Sequence, residues 1–413
     1  MLNPRKHLET VFLEYPMVAL WRLLMHGYKQ ETEGPGVFEK EEPGYLRGMF
    51  TGLNEMMRTL DEPLSVSCII NLHDACIHGV TYHYRVSTEE GIQDDFESFS
   101  RGLRKRSGTE FGLVANEKMP NCSRAGIIEL LQKIASGDSY LFLRDSNHEK
   151  NIDCSAIPTA LTDEFIDETI ARLKARQYYV SINVTLAGKL KERLEGIIKE
   201  YHQQMAGTIS SDEKIKAIAT VIHELELTHP FSDGNCRTFA LIVLNKLLLQ
   251  QGLTPVILED PDRFDAYSIE ELSLEIRHGM DRFRAVDDEG YKDDSTLIYL
   301  KNNRAVSYLV ALEILSGCDH WDAIQPSEKT RALAMVREVL TTMEPEGVNA
   351  TQLAGITKSI RENLNQAIYL KSWYQYNFFR TNQEYGIYFK SLVNQYFNPQ
   401  FLDLENFSAM ARV

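Results

Sequence analysis

Pro230 constrains this chain more than any other residue, because it stands where one helical pattern must stop and another begin. A proline lacks a backbone donor and pushes the residue before it out of the α region. Upstream, Ser210 and Glu213 read as a capping box, and Ile215, Ile218, Ile222 and Leu225 recur at helical spacing. Downstream, Phe239, Ile242, Val243 and Leu247 resume that spacing until Gly252, a C′ glycine followed by Pro255. Helices are therefore expected over 212–228 and 235–251. Between them runs His229-Pro230-Phe231-Ser232-Asp233-Gly234-Asn235-Cys236-Arg237. The second helix begins with unpaired N–H groups at the positive end of its dipole, an anion site that Arg237 strengthens.

The residue types in this loop suit phosphoryl chemistry. His229 is the residue type that titrates near neutrality and can take a proton from an attacking hydroxyl. The N–H groups of Gly234, Asn235 and Cys236, with the Arg237 guanidinium, are suited to the charge that grows on a phosphate during transfer. Asp233 is the carboxylate of the loop, and a Mg²⁺ ion bridging phosphates takes one or two of these. Phe231 is expected to point inward and anchor the turn.

The segment resembles the active-site loop of the Fic (Fic/Doc) family, His-x-Phe-x-(Asp/Glu)-Gly-Asn-Gly-Arg-x-x-Arg, and the likeness runs from about 210 to 252. The resemblance implies a mainly α fold: a Fic-like helical core, a small β-hairpin flap that aligns the target, and an additional C-terminal helical domain. It implies transfer of a nucleoside monophosphate, AMP from ATP first of all, onto a Ser, Thr or Tyr hydroxyl of a target protein. It also implies His229 as base, Asp233 on Mg²⁺, and phosphate contacts from Gly234, Asn235, Cys236 and Arg237. Two positions depart from the pattern. Cys236 replaces the third glycine, which narrows the cradle and disfavours positive φ. Ala240 replaces the second arginine, which in the family holds the γ-phosphate and pairs with an inhibitory glutamate. Its loss opens other donors, such as UTP for UMP transfer or a CDP-linked alcohol for phosphocholine, and a catalytically impaired binding scaffold as a further alternative. The inhibitory pattern has a match at 342–347, Thr-Met-Glu-Pro-Glu-Gly, but Pro345 spoils a helix there and Glu346 has no arginine at 240 to engage.

With 413 residues, 43% hydrophobic and 25% charged, the chain is long enough for two or three globular domains. A net charge of −15 argues against nonspecific nucleic-acid binding, and no run approaches a membrane span. The six cysteines form no disulfide framework, which fits a reducing compartment. Cytoplasmic residence is expected where the protein is made, and the family resemblance adds delivery into a host cell as a second setting. Cys68, His73, Cys76 and His78 match no common zinc spacing and lie in an apolar run, 66–80, that reads as a buried helix. Arg101, Arg104, Lys105 and Arg106 read as a solvated basic surface.

Along the chain, 1–45 reads as an N-terminal helix (4–28) and linker, 46–290 as the catalytic domain, and 295–413 as a helical domain. Further helices are expected near 46–60, 64–79, 163–177, 188–206, 265–284, 296–316, 327–343 and 350–371, with an aromatic-rich tail from 373. Residues 81–86 are β-like, and Tyr178, Val180, Ile182 and Val184 alternate as a strand does. The flap is expected at 108–119, with 177–186 as the alternative.

Overall fold

A computed structural model describes most residues from Pro4 to Val286. Residues 287–413 lie outside the described residues, as do short stretches that include 31–37, 106–108, 114–119, 146–149, 153–156 and 183–187. The C-terminal helices, the 342–347 pattern and the aromatic tail therefore fall outside them. The chain divides into two compact units, one of residues 1–8 with 21–286 and one of 9–20 with 287–413.

The described residues are mostly helical. The expected helix over 4–28 is broken into α1 (Pro4–Phe12), a 3₁₀ helix (Met17–Leu24) and α2 (Gly27–Gln30). Then come α3 (Tyr45–Arg58) and α4 (Val66–Cys76), which approach closely at Gly48. A Cβ there would lie 2.2 Å from the Cys76 carbonyl oxygen. After α4, β1 (Thr81–Thr88) and β2 (Gly91–Ser98) form an antiparallel hairpin with Thr81 opposite Ser98.

The next elements are β3 (Thr109–Phe111), α5 (Arg124–Ala135), β4 (Leu141–Asp145), β5 (Lys150–Ile152), α6 (Asp163–Lys174) and β6 (Tyr178–Ile182). The four strands form an antiparallel sheet in the order β3-β6-β4-β5. Both segments considered for the flap thus belong to one sheet, paired with each other so that Thr109 faces Ile182. Leu143 of the sheet shares a buried cluster with Ile127, Leu130 and Leu131 of α5 and Leu173 of α6.

Helices α7 (Leu190–Met205) and α8 (Ser211–Thr228) complete the approach to the loop. The Ser210–Glu213 capping box is present at the start of α8, where it satisfies two orphan N-terminal donors. Ile215, Ile218, Ile222 and Leu225 are buried, so α8 forms a central rod of the core.

Beyond the loop the expected α-helix over 235–251 begins instead as a π-helix, Arg237–Val243, before α9 (Leu244–Gln250). The apolar repeat cannot distinguish the two, because every residue of the π segment is buried and no polar face marks its phase. Wide π turns gather at functional sites. A short 3₁₀ turn (Pro261–Asp265) leads into α10 (Ile269–Ala285), so the helix expected from 265 starts four residues later, at a second capping box of Ser268 and Glu271. Among the described residues no helix is long and apolar enough to cross a membrane.

Candidate functional site

His229 ends α8 in the left-handed region, with φ 45° and ψ 56°, the described non-glycine residue with positive φ. A β-carbon makes this conformation costly, by about 1–2 kcal/mol, so something must hold it. Two sets of bonds do. Its N–H donates to the Glu226 and Leu225 carbonyls at 2.9 and 3.3 Å. Arg104 Nε donates to the His229 carbonyl at 2.7 Å, and the Arg104 N–H donates to the Pro230 carbonyl at 2.9 Å. Burial pushes the His229 imidazole down to about 4, and the Arg104 charge acts in the same direction. The ring is therefore neutral, the form that can accept a proton.

The rest of the loop is pinned from inside. Phe231 is fully buried, as expected, and lies flat on the His73 ring with centroids 3.7 Å apart. His73 Nε2 donates to the Asp233 carbonyl at 3.0 Å. This histidine therefore buttresses the loop. The Asn235 side chain accepts from the Phe231 N–H at 3.0 Å and donates to its carbonyl at 3.2 Å, closing the turn on itself. Gly234 takes φ 75°, which suits glycine, and its N–H donates to Asp233 Oδ1 at 2.6 Å.

Asp233 is exposed on the loop. One accessible carboxylate fits Mg²⁺, which keeps most of its water and takes its other oxygens from phosphates. Cys236 has φ −53° and ψ −49°, ordinary helical values. The expectation that this position favours a glycine backbone is thus corrected, since the cysteine incurs no positive-φ strain.

Arg237 is not open to solvent at the helix start. It is 8% exposed, ion-paired with Glu42, and its guanidinium carbon lies 4.9 Å from the Tyr45 ring centre and 5.0 Å from that of Phe99. Glu42 belongs to the stretch 31–44 read as a linker. In that stretch Phe38 is buried, stacked on Tyr45 at 4.4 Å, so the stretch contributes Phe38 to the core.

The basic cluster is likewise corrected at one position. Arg101 and Lys105 are exposed, but Arg104 is only 4% exposed. Among the described residues its Nη1 and Nη2 have no hydrogen-bond partner. A buried guanidinium beside the His229 carbonyl, with both terminal nitrogens unspent, is a ready contact for phosphate. The cluster of basic residues was visible in the sequence, but nothing there told Arg104 from its neighbours. Glu42, Tyr45, Phe99 and His73 carried no local signal, being far from the loop in sequence.

The Fic/DOC family model matches residues 159–248. Over 286 residues the chain is 27% identical to the phosphocholine transferase AnkX of Legionella pneumophila subsp. pneumophila, covering 64% of this chain and 28% of that protein. Over 98 residues it is 32% identical to the protein adenylyltransferase fic-1 of Caenorhabditis elegans, covering 24% of this chain and 18% of that protein. The matches span less than a third of either relative.

Proposed function

We propose, from the premise that this chain belongs to the Fic/DOC family, that it transfers a phosphate-linked group from a nucleotide diphosphate donor to a protein hydroxyl, with a CDP-linked alcohol as the donor class and phosphocholine as the group moved. The observation that carries the donor class is Ala240. It is fully buried in the π-helix, so no cation projects from that position toward a third phosphate. Among the described residues the arginines at the loop are Arg237, paired with Glu42 through Nη2 with its Nη1 unpartnered, and Arg104, both of whose terminal nitrogens are unpartnered. That supply suits two phosphates better than three. Similarity to a phosphocholine transferase over most of this chain supports the same reading.

In this reaction the target's hydroxyl oxygen attacks the phosphorus that carries the choline. A new P–O bond forms, the bond to the leaving CMP breaks, and the hydroxyl proton passes to the neutral His229 ring. Arg104 meets the charge on the transferred phosphate from the side of His229, and the N–H groups of Asn235 and Cys236 meet the donor at the helix start. Asp233 would hold Mg²⁺, which when bound offsets the donor's phosphate charge. The partner is a protein bearing a Ser, Thr or Tyr hydroxyl.

Transfer of AMP from ATP is the second reading, favoured by the likeness to an adenylyltransferase around the loop itself. Intact-mass measurement of proteins incubated with the chain, Mg²⁺ and either CDP-choline or ATP separates the two. The added mass of phosphocholine, lost in His229→Ala, is the expected result; an adenylyl adduct formed from ATP alone would replace the first reading with the second.

A further inference from the structure

An acidic cluster that contains a thiol gathers at Cys236, the residue before the π-helix. Cys236 Sγ, a ring nitrogen of His26 and a carboxylate oxygen of Asp262 all lie within 4.8 Å of one another. The three residues come from distant parts of the chain: the entry to α2, the start of the π-helix and the 3₁₀ turn before α10. Asp260 Oδ1 lies 3.8 Å from His26 Nδ1, too far for a hydrogen bond, and His26 Nδ1 has no hydrogen-bond partner among the described residues.

A second observation is independent of that grouping. Glu226, on the last turn of α8, is 1% exposed, and among the described residues neither of its carboxylate oxygens has a hydrogen-bond partner. A buried carboxyl without a partner is costly, and either a bound proton or a cation can answer it. Its nearest influences are acidic. Burial first, then Asp265 and Asp262, push the Glu226 carboxyl well above its usual range, and Glu226 and Asp262 both act on the Cys236 thiol. A cation seated among them would answer the carboxylates and the thiol together, in place of the protons they otherwise hold.

We infer that His26, Cys236 and Asp262, with Glu226 beside them, form a binding site for a transition-metal ion of the zinc class. Thiol, imidazole and carboxylate together are the donor set of such ions, whereas Mg²⁺ takes oxygen ligands. In a tetrahedral zinc site the ligand atoms stand about 3.5 Å apart, so a separation within 4.8 Å closes by about 1 Å on binding. The ion would tie the chain near residue 26 to the loop and to the 260s turn, fixing the start of the anion-binding helix. Cys236, the departure from the family motif, supplies the thiol. The site does not depend on the donor proposed above.

The test uses the full chain, stripped with a chelator and titrated with Zn²⁺ and, separately, Co²⁺. One equivalent of Zn²⁺ should bind and raise the melting temperature, and the Co²⁺ form should show thiolate-to-cobalt charge-transfer absorption. Cys236→Ser should abolish that absorption and weaken Zn²⁺ binding by about 100-fold or more, since changes even outside the ligand shell cost 10–100-fold. His26→Ala should weaken Zn²⁺ binding as well, with Asp233→Asn as a control that leaves it unchanged. Three results would overturn the inference: no Zn²⁺ retained against a weak chelator, Co²⁺ bound without the thiolate band, or a cluster stabilised by choline and indifferent to Zn²⁺. Transfer activity is not read in any of these, so a failure here is separate from a failure of the donor reading.

Discussion

Two buried ionisable groups near the loop, the basic Arg104 and the acidic Glu226, invite comparison. Arg104 is buried with both terminal nitrogens unpartnered among the described residues, and Glu226 is buried with both carboxyl oxygens in the same condition. A buried polar group without a partner is costly in both cases, and at Glu226 burial and the neighbouring aspartates favour the protonated form. Under the two proposals above, these groups serve ligands of opposite sign: an anion near His229 and a cation near Cys236. Arg237 supplies a further contrast, because its Nη2 is ion-paired with Glu42 and its guanidinium faces the Tyr45 and Phe99 rings, leaving only Nη1 without a hydrogen-bond partner among the described residues. It is a structural cation, where Arg104 is a poised one.

The largest expected effect tests the base on which the anion side depends. His229→Ala should lower the transfer rate by about 10²–10⁴-fold while leaving melting temperature and donor affinity near those of the parent. Near-normal transfer would remove His229 from the chemistry. Its pH dependence sharpens the point. The ring is held at about 4, below the ordinary 6.5, so the rate should stay level on acidification through 6.5 and fall only as pH approaches 4. A fall centred on the ordinary histidine value would show that burial does not govern this ring.

Next in size is the contrast between the two arginines. Arg104→Ala should cost about 2–4 kcal/mol in kcat/KM for the donor, the usual loss when a charged contact to the transition state is removed. Arg104→Lys, which keeps the charge, should recover part of it. Arg237→Ala should act chiefly on the fold instead, lowering stability by about 2 kcal/mol, less than for a fully buried pair because Glu42 is partly exposed. If Arg237→Ala abolishes donor binding at unchanged stability while Arg104→Ala is silent, the assignment of the two cations is reversed.

The smallest effect concerns the turn of the loop. Gly234→Ala places a β-carbon at φ 75° and 3.2 Å from Ile77 Cγ2, and should cost about 1–2 kcal/mol of stability. A neutral substitution, read by thermal unfolding, would show that the turn can relax to another conformation.

Much of this was legible in the sequence, and the part that was not has a physical reason. Ser210, Glu213, Pro230 and Gly252 marked the helix ends correctly because capping and stop signals act through neighbouring backbone. Phe231 was read as an anchor because a lone aromatic in a polar turn has few other uses. The partners of the loop were not legible. Glu42 reaches Arg237 across 195 residues and His73 reaches Asp233 across 160, and nothing local in those segments encodes either approach. Arg104 stood in a basic run that looked solvated, and only packing separates it from exposed Arg101 and Lys105. The π-helix escaped because a segment buried on every side has no periodic face to read. Cys236 was judged by the family's glycine; its right-handed backbone shows that the position accepts a side chain without strain.

The central claim is that the basic groups at the loop grip two phosphates and leave no cation for a third. Calorimetric titration of the full chain with Mg²⁺ and paired nucleotides, CDP against CTP and ADP against ATP, measures this without any target protein. The account predicts that each diphosphate binds at least as tightly as its triphosphate and that Arg104→Ala weakens both members of a pair alike. Triphosphates binding more than about tenfold tighter, a difference of about 1.4 kcal/mol, would contradict it and place an unrecognised cation at the γ-phosphate.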